Sequence, residues 1–385
     1  MTSSSDFFSK TPLELKNLSE NLGISPETLK SYFKDRKLPS DVHLQKLSEH
    51  FHYNKEQLKI LWGVVDRETL EYLQKNLDVI PALKPGKRRI KKLNQTMNTD
   101  LGTLYRNDCL DVMAGMEDET VDLIFADPPF NLNKKYPSGM NDLLKEEEYI
   151  LWMNRWVDEL CRLLKPGGAL FLWNLPRWNI EISKRLNKSL YFKNWIAVDL
   201  KYSLPIRGRL YPSHYSLLYF TKGKKANTFN PDRIPMQICP KCYGDLKDYG
   251  GYKSKMNKKG VNITDIWTDI PPVRHAKYKR RKNSNELSIK LLDRVIEMAS
   301  KPGDLVFDPF GGSGSTYIVA ELKDRRWIGT DIGPSDEIIA RFKILDTERQ
   351  ILEDYRKDMN CLFTEQSLTQ RKKRKLWTNE SFEGS

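Results

Sequence analysis

Cysteine and histidine are scarce in this chain, at five each among 385 residues. Cys239 and Cys242 form one close pair, while Cys109, Cys161 and Cys361 are scattered singles. An odd count with no framework excludes a disulfide-stapled scaffold and suits a reducing cytosol. Long hydrophobic runs are missing too. No apolar stretch approaches the ~20 residues that cross a bilayer. The opening residues, MTSSSDFFSK, show neither a basic leader nor an apolar stretch, so no signal peptide is expected and a cytoplasmic location is. Acidic residues are outnumbered: 51 Asp and Glu face 64 Lys and Arg, for a net charge of +13 and a pI near 9.3. That surplus points to a polyanionic partner such as nucleic acid, or to a merely solvated basic surface. With 39% hydrophobic and 30% charged residues, the balance is that of a globular chain long enough for one α/β core and appendages.

The first 80 residues carry helical spacing. Leu15, Leu18 and Leu22 share a face before Gly23, and Ser25 and Pro26 then supply an N-cap and first-turn pair for a helix bearing Leu29, Tyr32 and Phe33. DVHLQKLSEHF and NKEQLKILWG repeat the pattern. Two short helices joined through a glycine turn resemble the small helix-turn-helix domains of phage-repressor type. That resemblance implies that Glu27, Thr28, Lys30, Ser31 and Lys34 face a DNA groove. A small bundle that only packs or dimerises is the competing reading. Residues 81–99, including the basic run ALKPGKRRIKKLNQ, read as a linker.

From residue 100 to about 345, short apolar strands alternate with helices, which predicts an α/β domain with a mostly parallel sheet covered on both faces. LIFAD, ALFLW, YSLLYFTKG, LVFDPF and RWIGTDI read as strands. EEYILWMNRWVDELCRLLK and LSIKLLDRVIEMAS read as helices, the first stopped by Pro166-Gly167-Gly168. Residues 224–282 are polar, Lys- and Tyr-rich, and break the rhythm as an insertion. Residues 346–385 read as a C-terminal helix with a disordered basic tail, QRKKRK.

Two strand ends carry chemistry. LIFADPPFNLN stops an apolar run on Asp127, follows it with Pro128 and Pro129, and then offers Phe130. VFDPFGGSGSTYIVAEL runs a strand through Asp308 and Phe310 into a turn with Gly311, Gly312 and Gly314, then a helix. The glycines let a ligand approach the backbone. No Lys follows, which excludes a P-loop, and Tyr317 replaces the third glycine of the dinucleotide fingerprint. Asp331 ends the next strand, about where an acidic side chain reaches ribose hydroxyls.

Asp127-Pro128-Pro129-Phe130 followed downstream by Phe310-Gly311-Gly312-Ser313-Gly314 resembles the amino-methyltransferases of DNA. The motif order is similar to their β subclass, over roughly residues 100–225 and 283–345. The resemblance implies a circularly permuted Rossmann-like sheet that uses S-adenosylmethionine. It implies that Asp127 and the Pro128 carbonyl accept hydrogen bonds from an exocyclic amine, and that Phe130 stacks on a base extruded from the duplex. The prolines would fix this backbone and remove competing amide donors. It implies further that Asp108, in YRNDCLDVM, meets the adenine end of the cofactor, and that His214 and Tyr215 line the base pocket. This chain departs from the pattern at NSNELS, residues 283–288, where Asn285 and Glu286 are the candidates to serve the cofactor. The insert stands where target recognition occurs in the subclass; Arg274, Lys277, Lys279, Arg280, Arg281 and Lys282 suit phosphates there.

Within the family, Asp at the first clamp position is commoner for adenine N6 than for cytosine N4, so adenine in double-stranded DNA is the expected target and cytosine the alternative. An RNA or protein amide methyltransferase is a third reading. A non-catalytic DNA-binding regulator with a relic fold is the rival of another class. A homodimer and a cognate restriction endonuclease are compatible partners. No metal is expected in the catalytic site. Cys239-Pro-Lys-Cys242 has the spacing of half a zinc knuckle, without a second CxxC, and a reduced pair in a turn is the alternative.

Overall fold

The computed structural model describes residues 8, 10–35, 37–64, 92–132, 143–199, 207–208, 210–246, 255–271, 286–378 and 380. The chain divides into two units, Met1–Arg88 and Arg89–Ser385.

In the first unit, local chemistry sets the helix boundaries. Helix α1 (Pro12–Leu22) starts from a capping box, in which Thr11 and Glu14 satisfy each other's backbone amides, and ends at Gly23 with φ +59°. Ser25 caps α2 (Pro26–Phe33) through the Thr28 amide at 3.2 Å. Helices α3 (Asp41–Phe51) and α4 (Lys55–Leu61) complete a core of Leu15, Leu18, Leu29, Phe33, Leu44, Leu47, Leu58 and Trp62. Lys30 and Lys34 are exposed, whereas Ser31 bonds back to the Thr28 carbonyl and Thr28 to the Ser25 hydroxyl.

The second unit is built on a nine-stranded sheet. Its strands are β1 (Gln95–Asn98), β2 (Gly102–Tyr105), β3 (Val121–Ala126), β4 (Leu164–Asn174), β5 (Tyr191–Asp199) and β6 (His214–Thr221), followed by β9 (Ile266–Trp267), β10 (Leu305–Asp308) and β11 (Arg326–Thr330). A separate ladder pairs β7 (Arg233–Ile234) with β8 (Val261–Asn262). The sheet order is β1-β2-β11-β10-β3-β4-β6-β5-β9, with β2 through β4 parallel. The chain thus runs through the half of the sheet that ends at Asp127 before the half holding the glycine turn.

Alternation along β3 fills both faces. Leu123 and Phe125 join one core with helices α8 (Ile289–Ala299) and α9 (Ser315–Leu322). Ile124 and Ala126 join the other core with α6 (Glu146–Leu163) and α7 (Pro176–Leu186). At the amino ends, Asp122 accepts the Leu305 amide at 2.9 Å and pairs with Lys165 at 2.8 Å, pinning β3, β4 and β10 in register. Short helices α5 (Cys109–Ala114) and α10 (Asp336–Phe342), with α11 (Leu345–Arg356), complete this part. Among the described residues, no helix is long and apolar enough to cross a membrane.

Three sequence expectations need correcting. Gln95–Asn98, expected in the linker, is a strand, because an antiparallel partner exists for it in β2. Helix α6 stops at Leu163, ahead of Pro166, and β4 begins at once. The Pro166-Gly167-Gly168 segment is held in the ladder by reciprocal bonds between Gly167, Gly168 and Lys222. The C-terminal QRKKRK segment is not a free arm through Lys375. Helix α12 (Glu365–Lys373) buries Arg371, which donates to the Tyr243 and Trp377 carbonyls. Met236, Leu362 and Phe363 form a small core beneath it. The basic cluster Arg274, Lys277, Lys279, Arg280, Arg281 and Lys282, together with Asn285, lies outside the described residues.

A buried ion network ties the insert to the core. Arg294 of α8, 1% exposed, forms two bonds to Asp269 at 2.9 and 2.6 Å and lies 4.0 Å from Asp232 and 4.9 Å over the Trp267 ring. Arg356 of α11 forms ion pairs with Asp232 and Asp293. Despite the cost of burial, Arg294 and Lys290 hold the Asp269 carboxyl well below the usual carboxylate range.

Candidate active site

The two informative segments follow adjacent parallel strands. Because Val306 and Phe307 of β10 pair with Leu123 and Ile124 of β3, Asp127 and the glycine turn emerge side by side at the carboxyl ends, where open α/β sheets bind ligands. They share a cleft lined by Asp127, Asp308, Phe310, Gly311, Gly312 and Ser313 among others.

The segment Asp127–Phe130 is held by its backbone. Tyr149 of α6 donates to the Pro129 carbonyl at 2.5 Å, and Trp178 of α7 donates from Nε1 to the Phe130 carbonyl at 2.8 Å. Among the described residues, no hydrogen bond reaches the Pro128 carbonyl. Tyr149 and Trp178 also pack on each other, ring centroids 4.6 Å apart. Asp127 is half-buried and Pro128 buried. Phe130 is 7% exposed and packs on Tyr215 at 5.9 Å, and Tyr215 packs on Trp173 at 4.8 Å. His214, the first residue of β6, is half-buried and pairs across the ladder with Asp199.

The glycine turn is shaped by what a side chain would strike. A Cβ on Gly311 would lie 1.9 Å from the Tyr317 hydroxyl. Tyr317, at the position of the missing third glycine, is fully buried and donates to the carbonyls of Asp308 and Thr330 at 3.3 and 3.2 Å. It braces the ends of β10 and β11, and Gly329 makes room for its ring. Gly312 and Gly314 adopt φ of +50° and +76°, a region that favours glycine. Arg341 of α10 stitches the turn from behind, donating to the Ser313 carbonyl at 2.7 Å and the Ser315 hydroxyl at 3.0 Å, while pairing with Glu348 at 3.1 Å. Phe310 packs on Trp156 at 5.3 Å.

The carboxylates differ in role. Asp331 accepts the Gly312 amide at 2.8 Å and the Gly333 amide at 2.6 Å, so it latches the glycine turn. Asp108 is exposed, caps α5 through the Leu110 amide at 2.8 Å, and follows β2, two places from β10 in the sheet. Buried Glu286 lies 4.0 Å from Arg341. Asp308 is 3% exposed and accepts the Phe310 amide at 2.9 Å. Burial, with Asp331 nearby as a smaller effect, pushes its carboxyl up to about 7.

The sequence reading missed Tyr149, Trp178 and Arg341. The two aromatic residues sit at core-facing helical positions, and the spacing of Arg341 carries no sign that it reaches Ser313.

The family profile described as DNA methylase matches residues 121–340. The type II methyltransferase M.BamHI of Bacillus amyloliquefaciens is 42% identical over 380 residues, 97% of this chain and 90% of that protein. The DNA adenine methyltransferase YhdJ of Escherichia coli is 31% identical over 231 residues, 60% of this chain and 78% of that protein. The solved PvuII DNA methyltransferase (cytosine-N4-specific) superposes with a TM-score of 0.47 at 19% identity, covering 67% of this chain and 92% of that one. With the profile spanning both strand ends and a relative matched over nearly its whole length, this chain belongs to the DNA methylase family.

Proposed function

We propose that this chain transfers a methyl group from S-adenosylmethionine to an exocyclic amine of a base in double-stranded DNA, with the base extruded into the cleft. N6 of adenine is the target we favour, because Asp at this position is commoner among the family's adenine enzymes, and N4 of cytosine is the other outcome of the test below. The observation that carries the reading is the cleft that Asp127 shares with the side-chain-free turn at Gly311 and Gly312.

The donor supplies a methyl group on a sulfonium. Its nucleoside fits a turn where glycines leave backbone exposed, with Asp331, Asp108, Glu286 and Asn285 as candidate polar contacts. An exocyclic amine is a poor nucleophile because its lone pair is delocalised into the ring. Two acceptors, the Asp127 carboxylate and the Pro128 carbonyl, take its two N–H bonds and draw the nitrogen toward tetrahedral geometry. The new C–N bond forms as the C–S bond breaks, and the proton surplus on nitrogen leaves to solvent. Tyr149 and Trp178 occupy the next two carbonyls, so the Pro128 carbonyl keeps its direction at little reorganisation cost. Phe130 and Tyr215 offer the aromatic wall for the base. Phosphates are met by Arg274, Lys277, Lys279, Arg280 and Arg281 of the insert and by Lys30 and Lys34. A homodimer and a partner endonuclease are compatible with this role.

The test is transfer of labelled methyl from S-adenosylmethionine to unmethylated duplex DNA, followed by nucleoside analysis, with Asp127→Ala in parallel. N6-methyladenine from wild type, none from the variant and cofactor binding kept in both is the expected result. N4-methylcytosine keeps the clamp and changes the base. No incorporation on diverse DNA by folded, cofactor-binding protein overturns the reading. Loss of cofactor binding as well returns the regulator reading.

A further inference from the structure

The insert carries a cluster that methyl transfer does not use. Cys239, Cys242 and Asp245 bring two sulfurs and a carboxylate oxygen within 4.8 Å of one another. We propose that these three side chains bind a zinc ion with water in the fourth position, and that the ion fixes the loop on which α12 is seated.

Distances fit the ion. Zinc–sulfur and zinc–oxygen bonds of about 2.3 and 2.0 Å at a tetrahedral angle place the two ligand atoms about 3.5 Å apart. The Cys242 sulfur lies 3.5 Å from Asp245 Oδ2. The same geometry sets two sulfurs about 3.8 Å apart, so the cluster needs at most about an ångström of contraction from its 4.8 Å limit.

The loop is already wound for sulfur ligands. The Gly244 amide lies 3.4 Å from the Cys242 sulfur. The turn closes from the Tyr243 amide to the Cys239 carbonyl at 2.9 Å, and Tyr243 holds φ at +56°, a conformation a bulky residue adopts only when its surroundings impose it.

Charge fits as well. Two thiolates and a carboxylate around a divalent ion leave one negative charge. Arg374 donates to the Cys242 carbonyl at 2.7 Å, and Arg371 to the Tyr243 carbonyl. Both guanidinium groups come from the C-terminal segment, so the ion and α12 hold one loop. Sulfur donors select zinc over magnesium or calcium, which prefer all-oxygen sites. Three protein donors with an open fourth position make a weaker, more exchangeable site than a closed four-ligand one.

The full chain, purified reduced and without chelator, is assayed for zinc, then stripped and titrated with cobalt(II) under reductant. One equivalent of zinc per chain and a near-ultraviolet thiolate-to-cobalt band are expected. The band should be abolished in Cys242→Ser, and cobalt affinity should fall at least about tenfold in Asp245→Ala. Circular dichroism identifies folded variants, and the wild-type spectrum stands even where a variant fails to fold. No zinc together with no cobalt band on the folded reduced chain overturns the proposal, as does a band that survives Cys242→Ser. A Cys239–Cys242 disulfide that persists in glutathione buffer at cytosolic poise also overturns it.

Discussion

Gly311 and Tyr317 are a matched pair. An alanine at 311 would push its methyl group into the tyrosine ring, and forcing one extra carbon into such a space costs about 1–3 kcal/mol. Gly311→Ala should therefore lower the melting temperature and weaken S-adenosylmethionine binding, read by thermal melts and calorimetry. Tyr317→Phe in that background removes the nearest clashing atom and should restore part of both. No change in either quantity would refute the packing argument. Asp308 gives a second prediction at this scale. Its carboxyl ionises near 3.8 when unperturbed and near 7 in the folded chain. Between those values the folded state keeps a proton that the unfolded state has lost, so this group's contribution to stability falls as pH rises and levels off above about 7. Asp308→Asn should flatten that part of the stability profile, measured by denaturant melts across the window. The positions of these residues were legible beforehand because strand-end glycines and carboxylates are local signals. The Asp331 latch was not, since its partners are backbone amides brought in by the turn.

At the scale of elements, legibility followed the range of the forces involved. The start of α2 could be read from Ser25 and Pro26, whose effect is confined to one turn. The end of α6 could not, because pairing with Val121 of β3 draws Leu164 into β4 before the proline is reached. Helix α12 was legible only as a basic run. Arg371 finds the Tyr243 carbonyl 128 positions away, a contact no spacing rule anticipates. Arg371→Ala strands that carbonyl and the one at Trp377, and each buried unsatisfied group costs about 1–3 kcal/mol. The variant should be cut by protease in the insert at concentrations that leave wild type intact, with the sheet fragments surviving. If the insert stays as resistant as before, α12 does not hold it.

For the whole molecule, two units with separate cores should melt separately, so Met1–Arg88 expressed alone should give its own cooperative transition. Removing it should lower DNA affinity several-fold and make the dependence of affinity on salt shallower, because fewer phosphates are neutralised. The methylated base should stay the same. Unchanged DNA affinity and salt slope would assign this unit to packing alone. The large sheet was foreseeable from strand and helix alternation, whereas its antiparallel flank at β5 rests on a strand whose alternation passed unnoticed. The salt network around Arg294 has a consequence for how such proteins diversify. An insert borrowed from a relative must arrive with carboxylates positioned like Asp232 and Asp269, or it leaves an orphaned guanidinium inside the host. Inserts at this place in the fold are therefore not interchangeable parts. They are inherited with their anchor, and a graft that ignores the anchor should fail at assembly before it is ever tested on DNA.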